Sequence, residues 1–417
     1  MRLTRRTALT TATSTAAATL AAPGIARAQA RTISLWHVFN LETDMIHPAI
    51  KTWNQRNATT PIEARIVPLA QLNAELTRAV ATGAVPDIAT VGGEALASFA
   101  HQGLLEDITD KVTASAMTRW ADIYPGPKTG GTWGNRIYGV PRAVNTLALY
   151  YNRDLLAAKG LDPDKPPQTW SQIIAAAEKL TDKEKNVFGI TFCAIQSEEG
   201  TFQWLPWLQQ AGGAIARLDS PEAAAALQIW VDFVAKGHAS RDVVTMRQYE
   251  ATNTFIAGNA AMVVGGPWEL PRVQSEAKFK WSVALLPVKD DRNIRASALG
   301  DFMLSIPKGA KNGADAFKVI EHMVSDEVLA GAWATGRMPV RPGLPIPDLP
   351  YKDAYAVFAE QMKYARVRGP HPRWPELSRP IQTAIQEALT GRASATDALS
   401  RAAKTLQPIL AQMPLVE

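Results

Sequence analysis

The sequence is poor in the side chains that most often bind metals or perform redox chemistry. It holds one cysteine and six histidines among 417 residues. Cys193 cannot form an internal disulfide, and its apolar neighbours predict a buried, unreactive thiol. The patterns H-E-x-x-H, C-x-x-C, G-x-G-x-x-G and G-x-S-x-G are all missing. These absences argue against a zinc hydrolase, a thiol oxidoreductase, a dinucleotide enzyme and a serine hydrolase.

Long apolar runs and internal repeats are absent as well. Beyond residue 30 no stretch has the length and apolarity of a membrane-spanning helix. We find neither a low-complexity segment nor a repeat at the spacing of a solenoid. About 387 residues follow residue 30, and at about 150 residues per domain they indicate two or three globular domains.

The first thirty residues have the pattern of an export signal. Three arginines within the first six positions precede a weakly apolar stretch at 8–25, and ARAQA predicts cleavage after Ala28 or Ala30. Residues 4–9, TRRTAL, resemble the twin-arginine signal; a Sec signal with two adjacent arginines is the alternative. No cysteine follows the cleavage region, where a lipoprotein would carry one. The pattern predicts a soluble protein of the periplasm, with 1–30 as its signal peptide.

The net charge gives no indication of a nucleic-acid partner. The full chain has a formal charge of +5, but four of its arginines belong to the first thirty residues. The mature chain therefore carries a charge near zero, with acidic and basic residues interspersed. Such a chain has no field that would attract a nucleic acid.

Stretches typical of strands and of helices alternate after the signal. Residues 32–39, 62–69 and 85–93 predict strands, and 42–57 and 69–83 predict helices between and after them. The alternation of strand and helix predicts an α/β fold with mainly parallel sheets.

A series of stretches, taken in order, resembles the family 1 extracellular solute-binding proteins of ABC importers, which include maltose-binding and glycerol-3-phosphate-binding proteins. The resemblance covers nearly the whole mature chain. It implies a two-lobed periplasmic-binding-protein clamp that closes on a small solute about a hinge of crossing segments, with no catalytic step, metal or cofactor. The stretches are ISLWH, GAVPDIATV, GLLEDIT, YGVPRAVNTLALYYNRDLLAAKGLDPDKPPQTW, FIAGNAAMVVGGPWEL, LGDFMLSIPKGAKN and TGRMPVR.

The resemblance also implies the partners and the division of the chain. A monomeric clamp would deliver its solute to an ABC permease in the inner membrane. The first crossing has a physical signal, because Pro141 interrupts the chain before the extended apolar run at 145–152. The lobes are expected at 31–143 with 287–334 for lobe 1, and at 144–286 with 335–417 for lobe 2.

Candidate binding residues lie where this family lines its cleft. A sugar presents C–H faces that pack on aromatic rings and hydroxyls that need directed polar partners. Trp268 has the strongest case, because it follows Gly-Gly-Pro on a turn beyond an apolar strand. The other candidates are His37 at the end of the first strand, Glu94 after Gly-Gly, Arg142 and Asn145 at the crossing, Trp204, Asp301, Arg337 and Arg373.

Several candidates have a purely structural alternative. Glu94 would equally serve as a first-turn helix charge, and either Trp204 or Trp207 is expected in the core. By resemblance to the glycerol-3-phosphate binders, one arginine near the C-terminus reaches the cleft. The choices there are Arg366, Arg368 and Arg373.

The sequence favours a neutral sugar or a sugar-like polyol as the solute. Arg337 occupies a turn where the relatives show an aromatic residue, and its guanidinium suits a phosphate or sulfonate better than a hydroxyl. A phosphorylated or sulfonated glycoside is therefore the alternative. Two other functions stay open: a secreted carbohydrate-active or twin-arginine-exported enzyme, and a solute receptor for a sensor kinase.

Overall fold

The computed structural model describes residues 31–38, 44–289 and 292–415, and for Leu69, Ala70 and Asp301 the backbone alone. The predicted signal peptide, 1–30, lies outside the described residues. No helix within the described ranges is long and apolar enough to cross a membrane. The α-helices are α1 (Ile46–Arg56), α2 (Leu69–Thr82), α3 (Gly93–His101), α4 (Thr109–Ala114), α5 (Pro125–Gly130), α6 (Arg153–Ala158), α7 (Trp170–Leu180), α8 (Glu198–Gln210), α9 (Pro221–Ala235), α10 (Gln248–Ile256), α11 (Leu270–Glu276), α12 (Gly313–Met323), α13 (Asp326–Ala330), α14 (Lys352–Met362), α15 (Trp374–Leu389) and α16 (Ala395–Gln412).

The strands form two main sheets and two short pairs. The strands are β1 (Ile33–His37), β2 (Ile62–Ile66), β3 (Ile88–Gly92), β4 (Thr132–Trp133), β5 (Arg136–Ile137), β6 (Val140–Asn145), β7 (Ala148–Asn152), β8 (Met262–Gly265), β9 (Trp281–Ala284), β10 (Ser297–Ala298), β11 (Gly300–Ser305) and β12 (Ala365–Arg366).

The first sheet has the order β2-β1-β3-β11-β6. Strand β1 pairs in parallel with β2 and β3, as the alternation of strands and helices predicts. Strand β11 runs antiparallel to both β3 and β6, so the sheet is mixed rather than mainly parallel. The reason lies in the chain path: β6 leaves the sheet at Asn145, and β11 re-enters it opposite that residue at Gly300 after a long excursion.

The second sheet has the order β8-β7-β9, with both pairings antiparallel. Strand β7 lies in the middle and is buried throughout, in agreement with its apolar sequence. Two isolated parallel pairs, Phe188 with Ala260 and Thr191 with Val263, add a short segment beside β8. Helices α7, α8, α9, α15 and α16 enclose a core that includes the tryptophans Trp170, Trp204, Trp207, Trp230 and Trp374.

Three segments of the chain lie side by side between the two sheets. Residues 146–147 join β6 to β7, β10 belongs to the return from β9 to β11, and β12 lies beside β10. The Thr146 hydroxyl donates a hydrogen bond to the Ala298 carbonyl at 2.9 Å, and β10 and β12 pair in parallel. These bonds join the crossing segments into the kind of hinge about which two lobes rotate.

Local signals in the sequence explain several helix ends. Helix α2 stops at Gly83, whose φ of 70° is the left-handed conformation that glycine adopts most easily. Thr169 and Ser220 cap α7 and α9, and each hydroxyl accepts a hydrogen bond from the backbone N–H three residues on. Cys193 is buried, as its neighbours predict, and burial raises the pKa of its thiol.

Candidate functional site

A cavity of about 310 Å³ lies between the two sheets, near the strand ends that adjoin the crossing segments. Its size falls at the lower end of the range of small-molecule sites. One wall comes from the end of β6 and the start of β11, and the other from the turn after β8 and the first turns of α8 and α10. The polar and aromatic residues that define it are Glu94, Asn145, Glu198, Trp268, Arg337 and Arg368.

Two glycines make room for the side chains of this cavity. A Cβ atom at Gly266 would overlap the ring of Trp268, and one at Gly300 would overlap the amide of Asn145. Each glycine therefore lets a lining side chain lie directly against the backbone of a strand end. This packing explains the Gly-Gly-Pro-Trp sequence, because the Trp268 indole folds back over Gly266.

Trp268 is presented to the cavity by rigid neighbours. It lies in a single helical turn, Pro267–Glu269, and the Tyr150 hydroxyl donates to the Gly266 carbonyl at 2.7 Å just before that turn. The ring centroids of Trp268 and Phe202 are 6.4 Å apart at an interplanar angle of 41°. Together the two rings form an apolar face on which a sugar ring could stack.

A buried carboxylate lies beneath Arg337. Asp44 accepts hydrogen bonds from both terminal nitrogens of Arg142, at 3.0 and 3.3 Å, and Nη2 of Arg337 lies 3.2 Å from Asp44 Oδ2. Burial alone would raise the pKa of Asp44, but the charges of Arg142 and Arg337 outweigh it, so its pKa lies below the usual value. Arg142, predicted to face the cleft, is instead buried behind it and holds Asp44 in place.

His37, predicted to face the cleft, also lies beneath this network and is not on the cavity wall. Alternate residues of β1 point into the core, so Ile33, Leu35 and His37 are all buried. The His37 ring packs edge-on against His47 with centroids 5.2 Å apart. Burial and the neighbouring His47 lower the pKa of His37 to about 4.

We expect the fold to lose stability as the pH falls from about 6.5 to about 4. Folded His37 stays neutral down to about pH 4, whereas in the unfolded chain it binds a proton near pH 6.5. The unfolded state therefore binds more protons in this window, and the free energy of unfolding falls by up to about 3 kcal/mol for this group. The lowered pKa of His47 acts in the same direction.

Urea denaturation at pH 7 and at pH 4.5 checks this expectation. The His37→Gln variant should lose less stability on acidification than the wild type, while His101→Gln, at an exposed position, should behave like the wild type. The same pH dependence in all three proteins would contradict the account of His37.

A second ionic network crosses the cleft. The Arg368 guanidinium donates to Glu94 Oε2 at 3.1 Å and to Glu198 Oε1 at 2.6 Å. Glu94 lies in the first turn of α3, beside the first sheet, and Glu198 begins α8, beside the second. Glu198 also accepts hydrogen bonds from Trp374 Nε1 and Ser378 Oγ. Arg368 is thus the arginine near the C-terminus that reaches the cleft.

The charged side chains on the cavity wall balance one another. The Glu199 carboxylate lies 3.0 Å from Arg247. This pair adds a fourth opposite-charge contact to that of Arg337 with Asp44 and the two of Arg368 with Glu94 and Glu198. The wall holds as many acidic as basic side chains, namely Glu94, Glu198, Glu199, Arg247, Arg337 and Arg368.

Four of the predicted site residues lie on the cavity wall. They are Glu94, Asn145, Trp268 and Arg337. The backbone of Asp301 follows Gly300 in β11, and its side chain lies outside the described part of the chain.

Trp204 and Arg373, both predicted to line the cleft, do not reach the cavity. Trp204 is fully buried in the core enclosed by α7, α8, α9, α15 and α16, where its indole N–H donates to the Ala226 carbonyl. Phe202, two positions earlier on α8, is the aromatic residue that lines the cavity instead. The Arg373 guanidinium pairs with Glu376 one helical turn on, because both lie at the start of α15.

The sequence did not indicate five residues of the site and its surroundings. They are Asp44, Phe202, Arg247 and the two glutamates that begin α8, Glu198 and Glu199. The only signal for the glutamates is Ser197 before them, which marks a helix N-terminus and gives the carboxylates a structural explanation. No spacing in the sequence connects Glu198 with Arg368, since 170 residues separate them.

The chain has a mixed α/β fold, a small cavity between two sheets and a hinge of three segments. This combination defines the class of two-lobed binding proteins. The family model of the bacterial extracellular solute-binding proteins matches residues 42–330, and the chain belongs to this family. The two-lobed α/β fold class and the solute-binding role expected from the sequence are confirmed, and only the expectation of mainly parallel sheets is corrected.

Several proteins are similar to this chain over most of its length. One is the structure of an ABC transporter solute-binding protein from Thermotoga lettingae TMO bound with α-D-tagatose, with 28% identity and a TM-score of 0.83 over 91% of this chain and 100% of that one. Another is maltose-bound MalE3 of T. maritima, with 26% identity, a TM-score of 0.83 and the same coverage. The galactooligosaccharide-binding protein of Bacillus subtilis (strain 168) is 22% identical over 339 residues, 78% of this chain and 76% of its own. Each of these relatives is described either as a binding protein or with a bound sugar.

Proposed function

We propose that the protein is the periplasmic solute-binding component of an ABC importer and that its solute is an uncharged sugar, glycoside or polyol. The observation that carries this proposal is a cavity that combines an aromatic face, Trp268 with Phe202, with a wall whose charges are balanced. An aromatic face and directed polar groups suit C–H faces and hydroxyls. The tagatose and maltose bound by similar proteins support this choice.

The position of Arg337 favours the uncharged solute over the phosphorylated or sulfonated one. An anionic ligand needs a cation whose charge is not already compensated. The Asp44 carboxylate, 3.2 Å from Arg337 and shared with Arg142, offsets part of the Arg337 charge, and the cavity wall as a whole holds as many acidic as basic side chains. The N–H donors of a guanidinium also suit sugar hydroxyls. Arg337 is therefore proposed as a hydroxyl donor.

Arg337→Ala separates the two classes of solute. For an uncharged solute we expect a loss of about 0.5 to 1.5 kcal/mol, as for one ordinary hydrogen bond, with an affinity that changes little between low and high salt. A phosphorylated or sulfonated solute would lose about 2 to 5 kcal/mol and bind less tightly in salt. Calorimetry on the wild type, Arg337→Ala and the surface variant Arg373→Ala distinguishes these outcomes. A large, salt-sensitive loss in Arg337→Ala alone would contradict the uncharged solute.

We propose further that residues 1–30 are removed during export by the twin-arginine route. N-terminal sequencing of the mature protein from the periplasm should begin at Gln29 or Arg31. Replacing Arg5 and Arg6 together by lysine should abolish export, because the twin-arginine receptor reads this pair. Unchanged periplasmic levels of the double variant would indicate the Sec route.

The enzyme alternative is tested by incubating the pure protein with oligosaccharides. A binder should show a raised melting temperature with its solute and no products by chromatography, and stabilisation should reach about 2.7 kcal/mol at a hundredfold excess of ligand over Kd. Release of products would support a carbohydrate-active enzyme. Our proposal also includes the delivery of solute to a permease, a monomeric state, and lobe boundaries at 143/144, 286/287 and 334/335.

A further inference from the structure

A second cavity, of about 280 Å³, adjoins the first within the cleft. The two cavities have Glu94, Glu198 and Glu199 in common on their walls. The guanidinium of Arg368 spans the gap between Glu94 and Glu198, which belong to helices on opposite sides of the cleft. Because Glu94 and Glu198 line both cavities and Arg368 lines the first, the bridge Glu94–Arg368–Glu198 lies at the boundary between them.

The bridge is held firmly in place. The Arg368 side chain is 9% exposed, and its guanidinium carbon lies 4.7 Å from the centre of the Phe202 ring. On the far side, Glu198 accepts hydrogen bonds from Trp374 and Ser378, both of which line the second cavity. A ligand that fills the first cavity thus meets an ordered wall and not a flexible side chain.

The second cavity has the chemistry of a further sugar site. Its wall carries three amides and two hydroxyls, together with the three shared carboxylates, the largely buried Trp374 and one cation, Arg379. The Gln382 amide donates to Ser378 Oγ at 2.9 Å, so the polar groups are already ordered. The neutral polar and aromatic side chains are Asn73, Gln196, Ser197, Trp374, Ser378 and Gln382.

We propose that Arg368 determines the length of the saccharide that the protein accepts. The intact bridge confines the ligand to the first cavity, and its removal opens the second cavity as an additional sugar subsite. This inference rests on the proposed binding of an uncharged saccharide. It assigns to Arg368 a role in specificity, which differs from the contact that Trp268 and Phe202 make with the ligand.

The test compares gluco-oligosaccharides of two and four units, α-linked and β-linked, by calorimetry. The variant is Glu94→Gln/Arg368→Ala, which removes the bridge and leaves the net charge of the network unchanged. Arg373→Ala is the matched control, because it removes an arginine of the same segment whose partners lie outside both cavities. Circular dichroism and thermal unfolding establish that each variant is folded. If the double variant does not fold, Arg368→Lys, which shortens the bridge and removes its fork, takes its place.

We expect the wild type and Arg373→Ala to prefer the disaccharide. The ratio of tetrasaccharide affinity to disaccharide affinity should be about tenfold higher in the bridge variant than in the wild type. Adding Gln382→Trp, which fills the second cavity, should abolish this gain.

Two results would overturn the inference while the proposed function stands: equal affinity of the wild type for both lengths, or disaccharide binding in the bridge variant without any gain for the tetrasaccharide. Absence of binding to every uncharged saccharide and polyol in all variants would contradict the proposed function, and the inference with it.

Discussion

Trp268→Ala is expected to weaken solute binding by about 1 to 3 kcal/mol, which corresponds to roughly fivefold to more than a hundredfold in Kd. The indole is the largest apolar surface that the cavity wall offers to a sugar ring, and its position is fixed by Gly266 and by the Tyr150 hydrogen bond. Little conformational entropy is lost when a ligand stacks on a ring that is already ordered. Truncation removes both the area and this preorganisation.

Trp133→Ala is the matched control for Trp268→Ala. Trp133 is also a partly exposed tryptophan, but it lies in β4 and packs edge-on against His101, away from the cavity. Calorimetry should show wild-type affinity for Trp133→Ala and a reduced affinity for Trp268→Ala, with both proteins folded. Equal affinities in the two variants would place the solute elsewhere.

Asp44→Asn is expected to lower the free energy of unfolding by about 3 to 5 kcal/mol. The Asp44 side chain is 3% exposed and lies between two arginines that are themselves largely buried. Asparagine keeps the shape but removes the carboxylate charge that Arg142 and Arg337 share, so that less of their desolvation is offset. The solute affinity should fall as well, because the guanidinium of Arg337 loses its anchor.

Denaturant unfolding tests the Asp44 prediction against Asp315→Asn. Asp315 pairs with Lys318 across one helical turn, and the lysine is 66% exposed, so this control should change stability by less than about 1 kcal/mol. A loss in Asp44→Asn no larger than that of the control would show that the buried network contributes little. For the wild type, the lowered pKa of Asp44 means that its contribution is present above about pH 3.8 and is lost as the pH falls below that value.

The sequence predicts the parts of the fold that depend on local patterns. Strand and helix periodicity place β1 to β3 with α1 and α2, and glycine and hydroxyl caps mark the helix ends, because these signals act over a few residues. The antiparallel direction of β11 is not predictable in this way. It results from the return of the chain after an excursion of about 150 residues, which no local pattern records.

The site was predictable where a turn presents a side chain and unpredictable where distant residues meet. Gly-Gly-Pro-Trp indicates Trp268 because a large ring on a glycine turn has few structural uses. Helix α8 is buried on nearly all sides, so its periodicity does not distinguish Phe202, at the cavity, from Trp204, in the core. The bridge of Arg368 joins residues from three distant segments, and charge alone does not separate it from Arg373.

The most direct test of the account is a calorimetric titration of the mature wild-type protein with a panel of uncharged sugars, polyols and glycosides, sugar phosphates and sulfonated glycosides. We expect saturable, one-to-one binding of at least one uncharged member, with an affinity insensitive to salt. Binding confined to the phosphorylated or sulfonated members, weakened by salt, would contradict it.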